Sequence, residues 1–236
     1  MVQYLDVQIL LHLNWLLPSN GIRREIFEDI GNNPLIRGLP VFAPLLALWH
    51  SGENPARRSR MLAGFLAVCV ATLVSVQIQH HVHSHIRPFL NPEIHLQGID
   101  SNLTQSWDHE DSFPSDTATE FFSLAMVVFL ENKLAGTIAF LWSLISVGVV
   151  RMAMGYHYPS DVIGALILGP GIVLLSERIR WMPAEMNKLL LRLKSRPYIV
   201  QAAVFLFLAD AYWLFYGLQG VYNVFQMAGK DLVTRL

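Results

Sequence analysis

The segment RMAMGYHYPSD, Arg151 to Asp161, sets an arginine, a histidine and an aspartate at offsets 0, 6 and 10 beside a long apolar run. If a helix begins near Asp161, His157 and Asp161 stand four residues apart and can meet. The carboxylate then accepts the Nδ1 proton and leaves Nε2 as a nucleophile. Arg151 adds a planar fork suited to phosphate oxygens, whose charge must be stabilised during phosphoryl transfer. The plainer reading makes Asp161 a helix cap after Pro159 and Ser160, His157 an interfacial hydrogen-bonding residue and Arg151 an anchor for lipid headgroups.

Two further segments carry groups of the same kind. HIRPFL, 85 to 90, places Arg87 before Pro88 and offers a second fork. SFPSDT, 112 to 117, supplies Ser115, Asp116 and Thr117. If these open a helix, their backbone N–H groups form an anion site at its positive end; otherwise the segment is only a helix start. Seven of the nine histidines (His80, His81, His83, His85, His95, His109 and His157) lie in these connections. The run HHVHSH raises the question of a metal, since imidazoles at alternating or helical spacing can converge. No carboxylate or cysteine has a matching place beside it, so no metal ligand is assigned and no cofactor is expected.

These residues need elements to hold them, and the composition indicates which. Of 236 residues, 53% are hydrophobic and 15% charged, with a mean hydropathy of +0.39. That is more apolar and less charged than an ordinary soluble domain. The fold class expected is an all-α, polytopic membrane bundle forming one domain over 1–236. Its six spans run roughly from Leu35 to His50, Met61 to Gln79, Thr117 to Leu130, Leu134 to Val150, Val162 to Leu175 and Tyr198 to Leu218. The mixed segment before Leu35 has no basic start or small-residue cleavage site, so it reads as an amphipathic interfacial helix and not as a removed signal peptide. A formal net charge of -1 gives no reason to expect nucleic acid. Cys69 is the only cysteine, which leaves no intrachain disulfide.

Six spans put the connections 51–60, 131–133 and 176–197 on one side. They hold Arg57, Arg58, Arg60, Lys133, Arg178, Arg180, Lys188, Arg192, Lys194 and Arg196, ten of the 17 basic residues. Cytoplasmic loops retain positive charge, so that side is expected to be cytoplasmic, with both termini and the histidine-rich connections outside.

The three segments together resemble the type 2 phosphatidic acid phosphatase superfamily, whose pattern is K-x6-R-P, then P-S-G-H, then S-R-x5-H-x3-D. The third block matches at Arg151, His157 and Asp161, with Val150 for serine. The first matches at Arg87 and Pro88, with His80 where lysine is expected. The second matches at Pro114 and Ser115, with Asp116 for glycine and Thr117 for histidine. The SFPSD wording resembles bacterial undecaprenyl-diphosphate phosphatases within the superfamily more than the soluble acid phosphatases. The resemblance implies His157 as nucleophile oriented by Asp161, with His80, Arg87, Ser115, Asp116, Thr117 and Arg151 around the substrate phosphate, and no metal.

The departures bear on the substrate. The histidine missing at 117 is the family's expected general acid, and threonine cannot do that work near neutral pH. An alkoxide leaving group needs the proton far more than a phosphate does, so the substitution favours a lipid diphosphate. Asp116, His85, His109 and Glu110 are alternative acids. His80 in place of lysine makes phosphate attraction pH-sensitive. The function expected is a phosphatase or phosphotransferase acting on a polyprenyl or other lipid phosphate, in the bacterial cytoplasmic membrane with its site facing the periplasm or exterior. The alternative is a non-catalytic protein that binds or moves such a lipid. The partners expected are the phosphorylated lipid and membrane lipids, with no nucleic acid; the lipid tail and oligomeric state are left open.

Overall fold

The computed structural model describes residues 2–17, 22–52, 54–81, 85–97, 111–179 and 181–212. It is a helical bundle. The helices are α1 (Val2–Leu16), α2 (Ile22–Asn32), α3 (Pro34–His50), α4 (Pro55–His81), α5 (Asp116–Glu131), α6 (Lys133–Ala153), α7 (Pro159–Arg178), α8 (Trp181–Arg192) and α9 (Pro197–Tyr212). Five of the six expected spans coincide with α3, α4, α5, α6 and α7, and the sixth, Tyr198 to Leu218, coincides with α9 as far as Tyr212, while 213–218 lie outside the described residues. Among the described residues α4, α6 and α7 are long and apolar enough to cross a membrane by themselves, and α9 is a shorter apolar helix. The polar connection expected over 176–197 contains a helix, α8, with no buried residue. The N-terminal region contains two helices where one was expected.

The chain falls into two compact units, Met1–Leu189 and Leu190–Leu236. Of the second, α9 is the described helix. In the first, α5 is the central element and packs against α3, α4, α6 and α7. Its residues from Thr117 to Ala125 are all buried, including Glu120. Burial on all sides is what a central helix meets, and here it takes in the polar Thr117, Thr119, Glu120 and Ser123 as well as apolar side chains.

Local sequence sets the ends. Asn33 caps α3, its Oδ1 accepting from Leu35 N at 3.0 Å, and Pro34 takes the first helical position, where a missing N–H costs nothing. Asn132 serves two helices. Its N–H bonds Val128 O and closes α5, while its side chain accepts from Ala135 N at 3.0 Å and opens α6. So short a turn requires Gly136, because a Cβ there would fall on Phe129 Cα. Within α6, residues Leu144–Val149 form a π turn just before Arg151. The turn after α6 passes through Gly155, whose φ of 77° is the left-handed conformation that glycine adopts freely. The chain then turns through His157 into α7.

Candidate active site

The three segments meet at one end of the bundle. Ser112 N donates to His85 O at 2.8 Å and His85 N donates to Asp111 Oδ2 at 2.9 Å, so the two loops are tied together. Pro114 O accepts from Gln79 Nε2 at 2.6 Å and Ser75 Oγ at 3.2 Å, both on α4. Ser115 N donates to Asp161 O at 3.3 Å. Phe89 N donates to Gly155 O at 3.1 Å, and Phe89 packs with Leu17, Val150, Met154 and Tyr156 in an apolar cluster below the site. The extended stretch 85–87 alternates: Ile86 is 63% exposed, while Arg87 on the other face is fully buried and His85 partly so.

His157 and Asp161 are both completely buried. His157 Nδ1 lies 3.2 Å from the carbonyl oxygen of Ser112 and 3.6 Å from Asp161 Oδ2. A carbonyl can only accept, so Nδ1 carries the proton and the lone pair is on Nε2. Arg87 Nη1 stands 3.5 Å from that Nε2 and 3.4 Å from Tyr156 O. Burial pushes His157 below the ordinary imidazole range, which favours its neutral form.

Asp161 sits at the third position of α7, with Tyr158 as the residue preceding the helix. It is therefore not the helix cap itself. Its Oδ2 accepts from Tyr158 N at 2.7 Å and from the Ser112 hydroxyl. Its Oδ1 faces His85 Nδ1 at 3.1 Å. His157 Nδ1 is thus within reach of Asp161, as expected, but the carbonyl of Ser112 is nearer to the ring, and Asp161 is shared with Ser112, Tyr158 and His85.

Arg151 is 4% exposed, and its guanidinium lies 5.0 Å from the Tyr156 ring centroid. The charges of Arg87 and Asp116 act on it, as does that of Arg37, a buried residue of α3. The charges of Arg87 and Arg151, and of His157 when protonated, act in turn on Asp116. Ser115 caps α5, its Oγ accepting from Ala118 N at 3.3 Å. Asp116 Oδ1 accepts from Thr117 N at 2.7 Å, so the anion at this helix start is the protein's own carboxylate. Thr117 is buried and 3.4 Å from the same oxygen. His80 stands apart from this group: it is exposed at the end of α4, and its buried neighbour Gln79 makes the contact to Pro114. His83, His109 and Glu110 lie outside the described residues. Among the described residues no three His, Cys, Asp or Glu side chains converge as metal ligands.

The family model described as PAP2 superfamily matches residues 60–184, which take in every side chain of this cluster except Arg37. The chain belongs to the PAP2 superfamily. It is 30% identical over 165 residues to "Putative undecaprenyl-diphosphatase YbjG" of Escherichia coli (strain K12), covering 68% of this chain and 75% of that protein. It is 32% identical over 127 residues to the bacitracin transport permease protein BcrC of Bacillus licheniformis, covering 53% of this chain and 57% of that one. It is 29% identical over 124 residues to the undecaprenyl-diphosphatase BcrC of Bacillus subtilis (strain 168), covering 52% and 59%. The alignments thus span less than two thirds of either BcrC protein. No solved structure gives a significant match.

Several members of this PAP2 site carry no signal in the sequence. Ser112 and Gln79 lie outside the motif blocks, and nothing in their spacing indicates that they bond to Asp161 and Pro114. Arg37 is 43 residues before His80, where the first block begins, on a separate helix, and only the fold brings its charge near Arg151. His85, two residues before Arg87, has one usable signal: in an extended strand it shares the face of Arg87.

Proposed function

We propose that this protein hydrolyses a lipid diphosphate, or transfers its terminal phosphoryl group, through a covalent intermediate on His157. The observation that carries this reading is the buried His157 itself, with Nδ1 held by the Ser112 carbonyl and Nε2 directed at Arg87. An unprotonated nitrogen beside a guanidinium is where a phosphorus atom and its equatorial oxygens are accommodated together. Arg87 and Arg151 take the oxygens, Nε2 attacks in line, and the phosphoryl–oxygen bond to the leaving group breaks. Positive charge that develops on the ring is offset by Asp161, 3.6 Å from Nδ1. Water then attacks the phosphohistidine, releasing phosphate and restoring His157.

The substrate assignment rests on two supports. YbjG and the Bacillus subtilis BcrC carry undecaprenyl-diphosphatase names, and Thr117 stands where a general acid is expected, which favours a leaving group that departs as phosphate. The site faces the periplasm or exterior of a bacterial cytoplasmic membrane in this reading, where undecaprenyl diphosphate or a similar polyprenyl lipid reaches it.

The test uses the purified full chain in detergent with dodecyl diphosphate and dodecyl monophosphate, measuring phosphate release and an acid-labile phosphoenzyme. The wild type is expected to release phosphate and to form the adduct, and His157→Ala to lose both. Wild-type turnover by His157→Ala overturns the covalent mechanism. Binding of either lipid with no turnover by the wild type favours a carrier of phosphorylated lipids.

A further inference from the structure

The sequence pairs Asp161 with His157. In the structure it is closer to a second histidine: Oδ1 lies 3.1 Å from His85 Nδ1, whereas Oδ2 lies 3.6 Å from His157 Nδ1. His85 is not a bystander in this arrangement. Its backbone N–H is fixed by Asp111 Oδ2 at 2.9 Å, its carbonyl accepts from Ser112 N at 2.8 Å, and its ring is set edge-on to Tyr158 and Phe113 at centroid distances of 5.0 and 6.2 Å. Phe113 in turn lies against Gly164 of α7, where a Cβ would meet the ring at 2.5 Å. The ring is therefore held in one place from three sides, with Nδ1 on the carboxylate.

We propose that His85 is a positioning residue: it shares Asp161 with His157, and its protonation sets how much of the carboxylate's charge remains to support the nucleophile. This rests on the phosphohistidine reading above. Neutral His85 donates its Nδ1 proton to Oδ1 and orients Asp161 while leaving its negative charge for the His157 ring. Protonated His85 makes the same bond but brings a full positive charge to Asp161, and the imidazolium that develops on His157 during attack is then less well compensated.

The groups facing His85 are Asp161 on α7, Asp111 in the preceding loop, Asp6 on α1 and the hydroxyl-bearing ring of Tyr158. The hydrogen bond to Asp161 raises His85 above the ordinary imidazole value, and its partial burial opposes this less strongly. His157 is displaced the other way by its burial. The two histidines thus titrate on opposite sides of about 6.5. The sign follows directly. As pH falls through the raised His85 value, its charge appears and turnover drops while His157 is still neutral. The acid limb of kcat in the wild type accordingly belongs to His85 and lies above 6.5.

His85→Asn and His85→Ala separate this role from a purely structural one. The asparagine amide can donate to Asp161 but cannot titrate; alanine does neither. With dodecyl diphosphate in detergent, His85→Asn is expected to retain more turnover than His85→Ala, and its acid limb to move below 6.5. At a pH one unit below the wild-type limb, where the wild type has lost about tenfold, His85→Asn is expected to have lost less. The substrate's own ionisation is common to all three proteins, so only the difference between profiles reports His85. If His85→Asn forms the phosphoenzyme but keeps the wild-type limb, the proposal is wrong while the mechanism stands. If the wild type forms no phosphoenzyme, the underlying reading fails first. Should both variants be poorly folded, as judged by thermal unfolding, His85→Gln takes their place with the same two outcomes.

Discussion

The smallest departures from the family pattern carry the sharpest consequences, and Thr117 is foremost. It is buried, its hydroxyl lies by Asp116, and it has no proton to give near neutral pH. Dodecyl diphosphate is therefore expected to turn over much faster than dodecyl monophosphate. Thr117→His is expected to narrow the gap by roughly 100-fold if the ring reaches the leaving oxygen. Equal turnover of the two lipids by the wild type would remove the leaving-group argument. Asp161→Asn tests the other end of the histidine. Three donors besides His157 converge on this carboxylate: the Ser112 hydroxyl, Tyr158 N–H and the His85 ring. An amide cannot accept from all of them in the same way, and kcat is expected to fall roughly 100-fold or more with a smaller change in KM. Arg87, Arg151, His157 and Asp161 were legible as a set because their types and order form a pattern. The sharing of Asp161 was not, because a short polar side chain such as Ser112 gives no periodic signal and its bond forms only when two loops meet.

Helix spacing and length were readable where apolar runs are long: α4, α6 and α7 stand where hydropathy puts them. The N-terminal region was not, because its residues serve two purposes. α1 turns Asp6, Leu10 and Asn14 inward, at intervals of four residues, while Tyr4, Leu5, Ile9, Trp15 and Leu16 are exposed. Two of those three buried side chains are polar, so the inward face shows no apolar stripe. They nonetheless have definite partners. Asn14 Nδ2 donates to Ala153 O at 2.9 Å, and its Oδ1 accepts from Gln97 N at 2.8 Å. Asp6 Oδ1 accepts from Ser160 N at 3.0 Å, in the first turn of α7 and three residues after His157. A carboxylate there satisfies an N–H that the helix cannot satisfy internally and suits the positive helix end. Asp6→Ala is expected to cost on the order of 1 kcal/mol in stability. It should also lower kcat, since the turn that carries His157 loses a tether. Thermal unfolding and turnover in the same detergent check both; an unchanged kcat would make α1 a cover for the site and nothing more.

Across the whole molecule, α4 and α5 run antiparallel and define two ends. At one, Gln79 of α4 meets Pro114 before α5. At the other, Arg60 of α4 grips Glu131 of α5 through two bonds of 2.8 and 2.9 Å, with Arg57 3.5 Å away. From residue 60 to residue 79 a helix rises about 28 Å at 1.5 Å per residue, close to the roughly 30 Å of a bilayer's hydrocarbon core. The site and the basic connections are thus separated by about one membrane thickness. Retention of positive charge on the cytoplasmic side is the basis of the proposed orientation, with the Arg60 end in the cytoplasm and the site outside. Single cysteines in a Cys69→Ala background test this. Tyr158 is too buried to report, whereas Glu93 is exposed beside the site segment and the Lys188 side chain is 61% exposed on α8. In intact cells Glu93→Cys is expected to react with a membrane-impermeant maleimide and Lys188→Cys to react only after permeabilisation. The reverse pattern would put the site in the cytoplasm and exclude substrates presented at the outer face. Labelling of both in intact cells would mean that residues between 93 and 188 cross the membrane an even number of times, against the three spans, α5, α6 and α7, expected there from the sequence.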